Sequence, residues 1–211
     1  MSRRYPKNPR TPPTALTVRS GEIATYTGPL WRIHTTTGAH PAAWNALRRY
    51  GPLSDYRWEP HPPPPRTHPA VAVSYTAQDY ETAFAEVFQR DRAITLTPDR
   101  TLSGWLPSRP LALLDVIASN WALRHRASAS LPHTPKNTCR AWANAIWEQL
   151  GHQVDGLLAP STVLIGKPMV VLFPRAASAF PIAPSFSRNL NHSDVATLAV
   201  RVGRRLDWPV R

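Results

Sequence analysis

The chain has 211 residues, of which 42% are hydrophobic and eight are Trp, enough to bury one core of domain size. No run reaches the roughly 18 apolar residues of a membrane helix, the basic N-terminus lacks the apolar stretch of a secretory signal, and a single cysteine, Cys139, excludes an internal disulfide framework and a Cys-rich zinc site. The net charge of +12, from 22 Arg and three Lys against 13 acids, favours an anionic partner such as nucleic acid, an acidic protein or a phosphorylated small molecule.

The chain therefore reads as soluble and cytoplasmic, with no membrane partner. Its positive charge is spread out, with no block of five or six Lys/Arg interleaved with aromatics, so direct nucleic-acid binding is the weaker reading. Eight histidines occur without His-Glu-x-x-His spacing, and no metal site is expected.

In chain order, residues 1–20 are basic and Pro-rich with almost nothing to bury, and are expected to be disordered; residues 21–211 would form the domain. Ile23–Thr27 and Leu30–His34 favour strand, broken by Gly28-Pro29. Pro41–Tyr50 reads as a short helix, with Pro41 in its first turn and Gly51 at its end. His61-Pro-Pro-Pro-Pro-Arg66 reads as an extended surface connection. Ala70–Tyr75 reads as a buried strand, with Thr76 capping a helix to about Arg90; there Tyr80, Phe84, Val87 and Phe88 fall on one face.

Ile94–Thr97, Ser103–Leu106 and Leu111–Ile117 are strand candidates, although 111–123 could instead be helical. A helix follows from Asn137 or Thr138 to Leu150, ended by Gly151. Gly156–Ala159 and Met169–Phe173 read as strands around the polar turn Ser161–Gly166. A last amphipathic helix covers about 193–206, with Val195, Leu198, Val202 and Leu206 on a side that could dock on the core or support a homodimer. Strands with interspersed helices and no internal repeat predict an α+β fold.

No general catalytic motif is present: there is no phosphate-cradling Gly-rich loop and no Gly-x-Ser-x-Gly elbow. Cys139 at a helix start could be an activated thiol, but Trp142 and Ile146 make that helix core-facing and favour a structural cysteine.

Several segments in order resemble the RES domain family. Tyr75-Thr-Ala-Gln-Asp-Tyr-Glu-Thr-Ala-Phe-Ala-Glu86-Val87 is similar to its central strand–helix signature. Leu30-Trp31-Arg32-Ile33 resembles the N-terminal strand with its arginine. Arg57-Trp58 resembles the second arginine segment, normally Gly-Arg-Trp-Asn. Thr138-Cys139-Arg140 opens the helix before Asp155-Gly156-Leu157-Leu158-Ala159-Pro160-Ser161, which resembles the Asp-Gly…Pro-Ser segment. Val170–Phe173 stands where the family has its closing strand. The resemblance covers about residues 30–173. It departs from the pattern at Tyr56, in place of Gly, and at Glu59, in place of Asn, before the tetraproline insert.

The resemblance implies a single α+β domain like the ADP-ribosyltransferase fold, with central mixed or antiparallel sheets and flanking helices. It implies a toxin that degrades NAD⁺ as substrate, with water or inorganic phosphate as acceptor and no bound cofactor, paired with an Xre-type helix-turn-helix antitoxin. Glu86 would stabilise the oxocarbenium-like ribose that develops as neutral nicotinamide departs. Arg32 and Arg57 would bind the pyrophosphate through bidentate forks. Tyr75 would contact nicotinamide or ribose, or be a core aromatic, and Ser161 would donate a hydrogen bond near ribose or phosphate. A carboxylate near the second arginine, Glu59, could pair with Arg57 and blunt its phosphate binding. A catalytically weak RES-like binding protein and a basic nucleic-acid-binding domain are the alternative readings.

Overall fold

The computed structural model describes residues 6–211. Eight strands form one mixed sheet: β1 (Ile23–Tyr26), β2 (Leu30–Thr35), β5 (Ser74–Ala77), β6 (Arg100–Trp105), β7 (Leu111–Asp115), β8 (Gly156–Pro160), β9 (Pro168–Leu172) and β10 (Phe186–Asn189), in the order β1-β7-β8-β9-β5-β2-β6-β10. Only β7 and β8 run parallel. A two-stranded ribbon pairs β3 (Tyr50–Gly51) with β4 (Arg66–Thr67). The α-helices are α1 (Tyr80–Phe88), α2 (Trp121–Arg124), α3 (Lys136–Leu150) and α4 (Ser193–Leu206). The expected single α+β domain, a mixed sheet flanked by helices, is the fold observed.

Side chains alternate across a strand, so each strand serves both faces. Trp31 and Ile33 of β2 pack with Phe84 and Phe88 of α1, Leu102 of β6, and Val195, Ala199 and Val202 of α4. The apolar side of α4 is thus spent on the core. On the other face Leu30 packs with Trp105, Leu111, Leu113, Val170 and Leu172. A third cluster, under α3, collects Trp121, Trp142, Ile146, Leu157, Val171 and Phe173.

Between β2 and β5 the sheet splits. The two strands share one register pair, Trp31 with Ala77. Just before β5, Val73 pairs instead with Arg48, so the 42–51 segment enters where β2 peels away. Tyr75 lies on β5 between those two pairings.

Several expectations are corrected. The basic N-terminal segment was expected to be disordered over residues 1–20. Met1–Tyr5 lie outside the described residues, but much of 6–19 is tied down. The buried indoles of Trp142 and Trp121 need acceptors and take the carbonyls of Pro9 and Thr17, both at 2.9 Å. Leu16 enters the core with its amide on Gln149. Asn8 bonds Ser128 and Ser130.

Pro41–Tyr50 is not a helix. The carbonyls of Ala43, Trp44 and Ala46 accept from the Arg32 guanidinium, with a single turn bond from the Ala46 amide to the Ala43 carbonyl and no continuing helical ladder, and Trp44 packs against Trp105 and Phe180. The extended connection is exposed from Pro63 to Thr67, but His61 is buried. Asp79, not Thr76, caps α1, accepting from the Thr82 amide at 2.7 Å, and the helix stops at Phe88. Of Ile94–Thr97 only an isolated bridge from Ile94 to Val210 forms. The short helix α2 and the edge strand β10 had no apolar period to announce them.

Candidate functional site

The expected site residues fall into two groups along β5 and α1. The first is built on Glu86, in the second half of α1. Ser161 directly follows β8 and starts a turn that folds back on α1. Its Oγ donates to Glu86 Oε1 at 2.6 Å, and the Thr162 amide donates to the same oxygen at 2.9 Å. Ser161 Oγ itself accepts from the amides of Val163 and Leu164. The serine is thereby a rigid hinge between its own turn and the glutamate. Among the described residues Glu86 Oε2 receives only the Gln89 amide group, at 3.2 Å.

A second clamp holds the same turn. Lys167 Nζ lies 2.8 Å from the capping carboxylate Asp79, and the Ser161 amide donates to the Lys167 carbonyl at 2.8 Å. Partial burial would raise the Asp79 carboxyl, but Lys167 and the Thr82 hydrogen bonds outweigh it and bring the group below its ordinary value.

The second group surrounds the split between β2 and β5. Arg32 shares the strand face of Leu30, opposite α1. Its Nη1 donates to the carbonyls of Ala46, Trp44 and Ala43 at 2.7, 3.2 and 3.5 Å. No acidic side chain pairs with it among the described residues. Burial, with a further contribution from the nearby charge of Arg48, lowers its guanidinium to about 10.

Arg48 is ion-paired to Glu59 through both Nη atoms and also bonds the Tyr50 carbonyl; its guanidinium carbon lies 5.2 Å from the centre of the Tyr56 ring. Tyr56 packs against Tyr75 with ring centres 4.8 Å apart. The Tyr75 hydroxyl donates to Glu59 Oε1 at 3.3 Å. Burial, then the Glu59 charge, raises the Tyr75 phenol well above its ordinary value.

Glu59 is fully buried and also accepts from His61 Nδ1 at 3.1 Å. This bond requires the proton on Nδ1, because a carboxylate only accepts. Burial would raise the Glu59 carboxyl, but His61 and Arg48 together hold it below its ordinary value. Gly51 backs the pair: a Cβ there would lie 2.6 Å from His61 Nδ1 and 2.8 Å from Glu59 Oε2.

Of the expected residues, then, Glu86 and Ser161 are in direct contact, and Arg32 and Tyr75 share a cluster. Arg57 does not join them. Its Nη1 bonds the Thr134 carbonyl and approaches Cys139 Sγ at 3.7 Å, on the loop before α3. Glu59 pairs with Arg48 and not with Arg57. The sequence reading missed Arg48. The only signal for it is a Leu-Arg-Arg-Tyr stretch in a segment read as helical, where either arginine passes for surface charge.

Cys139 is buried, its sulfur among the Leu131, Pro132 and Thr134 carbonyls and the Thr134 hydroxyl, and among the described residues no histidine bonds it. Among the described residues no three His, Cys, Asp or Glu side chains gather as metal ligands do, and no helix is long and apolar enough to cross a membrane.

No curated protein matches the chain significantly. Among solved structures, a chain of the crystal structure of the M. tuberculosis MbcT–MbcA toxin–antitoxin complex is similar in fold. It is 16% identical, the match covers 84% of this chain and 92% of that one, and the TM-score is 0.54. The RES domain family matches residues 29–191, which takes in β2 through β10 and both groups of the site. The chain belongs to the RES domain family.

Proposed function

We propose that this protein cleaves the nicotinamide–ribose bond of NAD⁺ and acts as the toxin of a bacterial toxin–antitoxin pair. The observation that carries the reading is the Glu86–Ser161 contact. A carboxylate on a helix is ordinarily a solvated charge. Here one oxygen is fixed by a hydroxyl and an amide from another strand's end, while the other is left almost free to face a developing cation.

The chemistry asks little more of the protein. The nicotinamide ring nitrogen is already positively charged in NAD⁺. When the ribose C1′–N bond breaks, its electron pair neutralises that nitrogen, and no proton has to be supplied to the leaving group. The ribose becomes oxocarbenium-like, and a preorganised carboxylate beside it stabilises the transition state. The oxygen of water or of inorganic phosphate then bonds C1′, and for water a proton is released. Ser161 acts through Glu86, because its own hydrogen-bonding capacity is committed. Arg32 supplies positive charge for the pyrophosphate, and Tyr75 borders the same cluster. NAD⁺ is the substrate, and no resident cofactor is called for.

The test is NAD⁺ consumption by purified protein, with and without inorganic phosphate, beside Glu86→Gln. Glu86→Gln keeps the shape and removes the charge. Turnover should fall by about a hundredfold or more, as when one transition-state-stabilising group is removed, with the thermal midpoint held. Dependence on phosphate names the acceptor. A folded wild type that consumes no NAD⁺ in either condition overturns the enzymatic reading.

The partner in this proposal is an Xre-type helix-turn-helix antitoxin that covers the site. Membership of the family and the likeness to a chain of a toxin–antitoxin complex support it. Induction of the chain alone should stop growth, and co-expression of the neighbouring gene product should restore growth and co-purify. Growth unaffected by the free protein sinks the toxin role.

A further inference from the structure

We infer that Arg48 is the second anion-binding guanidinium of this site, beside Arg32, and that the buried Glu59–His61 pair positions it. This rests on the NAD⁺ reading above and names the group that meets the dinucleotide's pyrophosphate.

The charge balance comes first. Arg32 bonds the Ala46 carbonyl, two residues before Arg48, and Glu59 is the carboxylate that Arg48 and the Tyr75 hydroxyl bond. Glu59 is engaged by Arg48 alone of the two, so the cluster carries surplus positive charge. Arg32 has only carbonyl partners. A half-buried cation without a counter-ion is costly unless an anion arrives to complete it.

The donor inventory agrees. Arg48 spends Nη1 on the Tyr50 carbonyl and Glu59 Oε2, and one Nη2 hydrogen on Glu59 Oε1. Its Nε–H and second Nη2–H have no partner among the described residues, and its side chain retains 27% exposure. Arg32 keeps its Nε and Nη2 donors. Two guanidinium groups with free N–H edges on one cluster match the paired phosphates of a dinucleotide.

Glu59 explains how a long, flexible side chain is held ready. Its carboxylate grips both Nη atoms, while His61 Nδ1–H and the Tyr75 hydroxyl share its negative charge. The carboxylate therefore fixes Arg48 without fully cancelling it. The pair was installed with some strictness: both side chains are fully buried, Gly51 leaves them no spare room, and His61 Nε2 is buried without a partner. Arg57, the arginine matched by motif, is spent on the loop before α3.

ADP-ribose, which carries the pyrophosphate and cannot react, is the probe. Its affinity would be measured by calorimetry for wild type, Arg48→Ala, Arg48→Lys, Glu59→Gln and Arg57→Ala, with NAD⁺ kinetics and thermal midpoints alongside. Arg48→Ala should weaken ADP-ribose binding by about tenfold or more, the loss expected for a charge-assisted hydrogen bond, and raise KM for NAD⁺ more than it lowers kcat. Arg48→Lys, which keeps the charge and loses the fork, should recover part of the affinity and serves if the alanine variant does not fold. Glu59→Gln should raise KM by a smaller factor than Arg48→Ala, because Arg48 is loosened and not removed. Arg57→Ala should weaken binding less than Arg48→Ala does.

Arg48→Ala and Arg48→Lys both within threefold of wild type, with Arg57→Ala losing tenfold, overturns the inference while turnover by wild type leaves the enzyme intact. A wild type that neither binds ADP-ribose nor consumes NAD⁺ overturns both.

Discussion

Asp155 and Glu59 are both carboxylates with no exposed side-chain surface, and both are gripped by arginine, yet they are finished differently. Asp155, at the entry to β8, receives two hydrogen bonds from Arg109 at 2.8 Å each, one from the Ala112 amide at 2.9 Å, and a second guanidinium from Arg175 at 2.9 Å. Arg109 in turn bonds Ser178 and the Arg175 carbonyl. Every atom is answered within the protein, and the result ties β7, β8 and the 174–179 turn together. Glu59 answers one arginine, one imidazole and one phenol, with the Leu53 amide farther off at 3.4 Å, and leaves a neighbouring arginine without an acid. A closed polar network reads as scaffold, and an open one reads as a place for a ligand.

The largest stability effect should therefore come from the closed network. Asp155→Ala leaves two guanidinium groups around a buried hole and should cost about 3–5 kcal/mol, the usual result of removing one partner of a buried pair. Urea denaturation measures it. A loss below about 1 kcal/mol would mean the two arginines find water readily and the network is not closed.

The same carboxylate should govern acid stability. Burial would raise Asp155, but the Arg109 hydrogen bonds, the Ala112 amide and the Arg175 charge bring it below its ordinary value. The folded state thus holds this proton less tightly than the unfolded chain. Its contribution is complete above the unfolded value near 4 and is lost as pH falls through that value toward the lower folded one. Asp155→Asn should flatten the decline in stability below about pH 4 relative to wild type. An unchanged slope would assign acid unfolding to other carboxylates, Glu59 and Asp79 first, since both are also lowered.

A smaller effect tests the open cluster from behind. Gly51→Ala places a methyl against His61 and Glu59, neither of which has surface to retreat to. Overpacking of this kind costs about 1–3 kcal/mol, and by shifting Glu59 it should also raise KM for NAD⁺. Loss of stability with KM unchanged would separate the Glu59–His61 pair from ligand binding.

The sequence could show most strands of the main sheet, α3, α4 and the Glu86 helix because each carries its own apolar period, but not β10 or the β3–β4 ribbon. It could not show where β2 leaves β5, which is fixed by the Arg48–Val73 pairing, nor which arginine enters the gap. Arg57 matches a motif and Arg48 matches nothing; the choice is made by chain path, through the Trp44 anchor and the Arg32–carbonyl bonds that stop 41–50 from coiling. Ordering of the N-terminal segment was equally illegible, since indole N–H groups 104 and 133 residues away supply the reason for it.

The smallest effect concerns the turn that carries Ser161. It is pinned to α1 twice, by Ser161 on Glu86 and by Lys167 on Asp79. The second pin is about one-third exposed at both ends, so Lys167→Met should cost less than about 1 kcal/mol and the difference from wild type should shrink in high salt. Ser161→Ala removes the pin that touches Glu86 and should cost about 1 kcal/mol, but lower kcat well beyond what Lys167→Met does. If both variants depress kcat alike, the turn as a whole orients Glu86. If only Ser161→Ala does, the hydroxyl acts on the carboxylate directly.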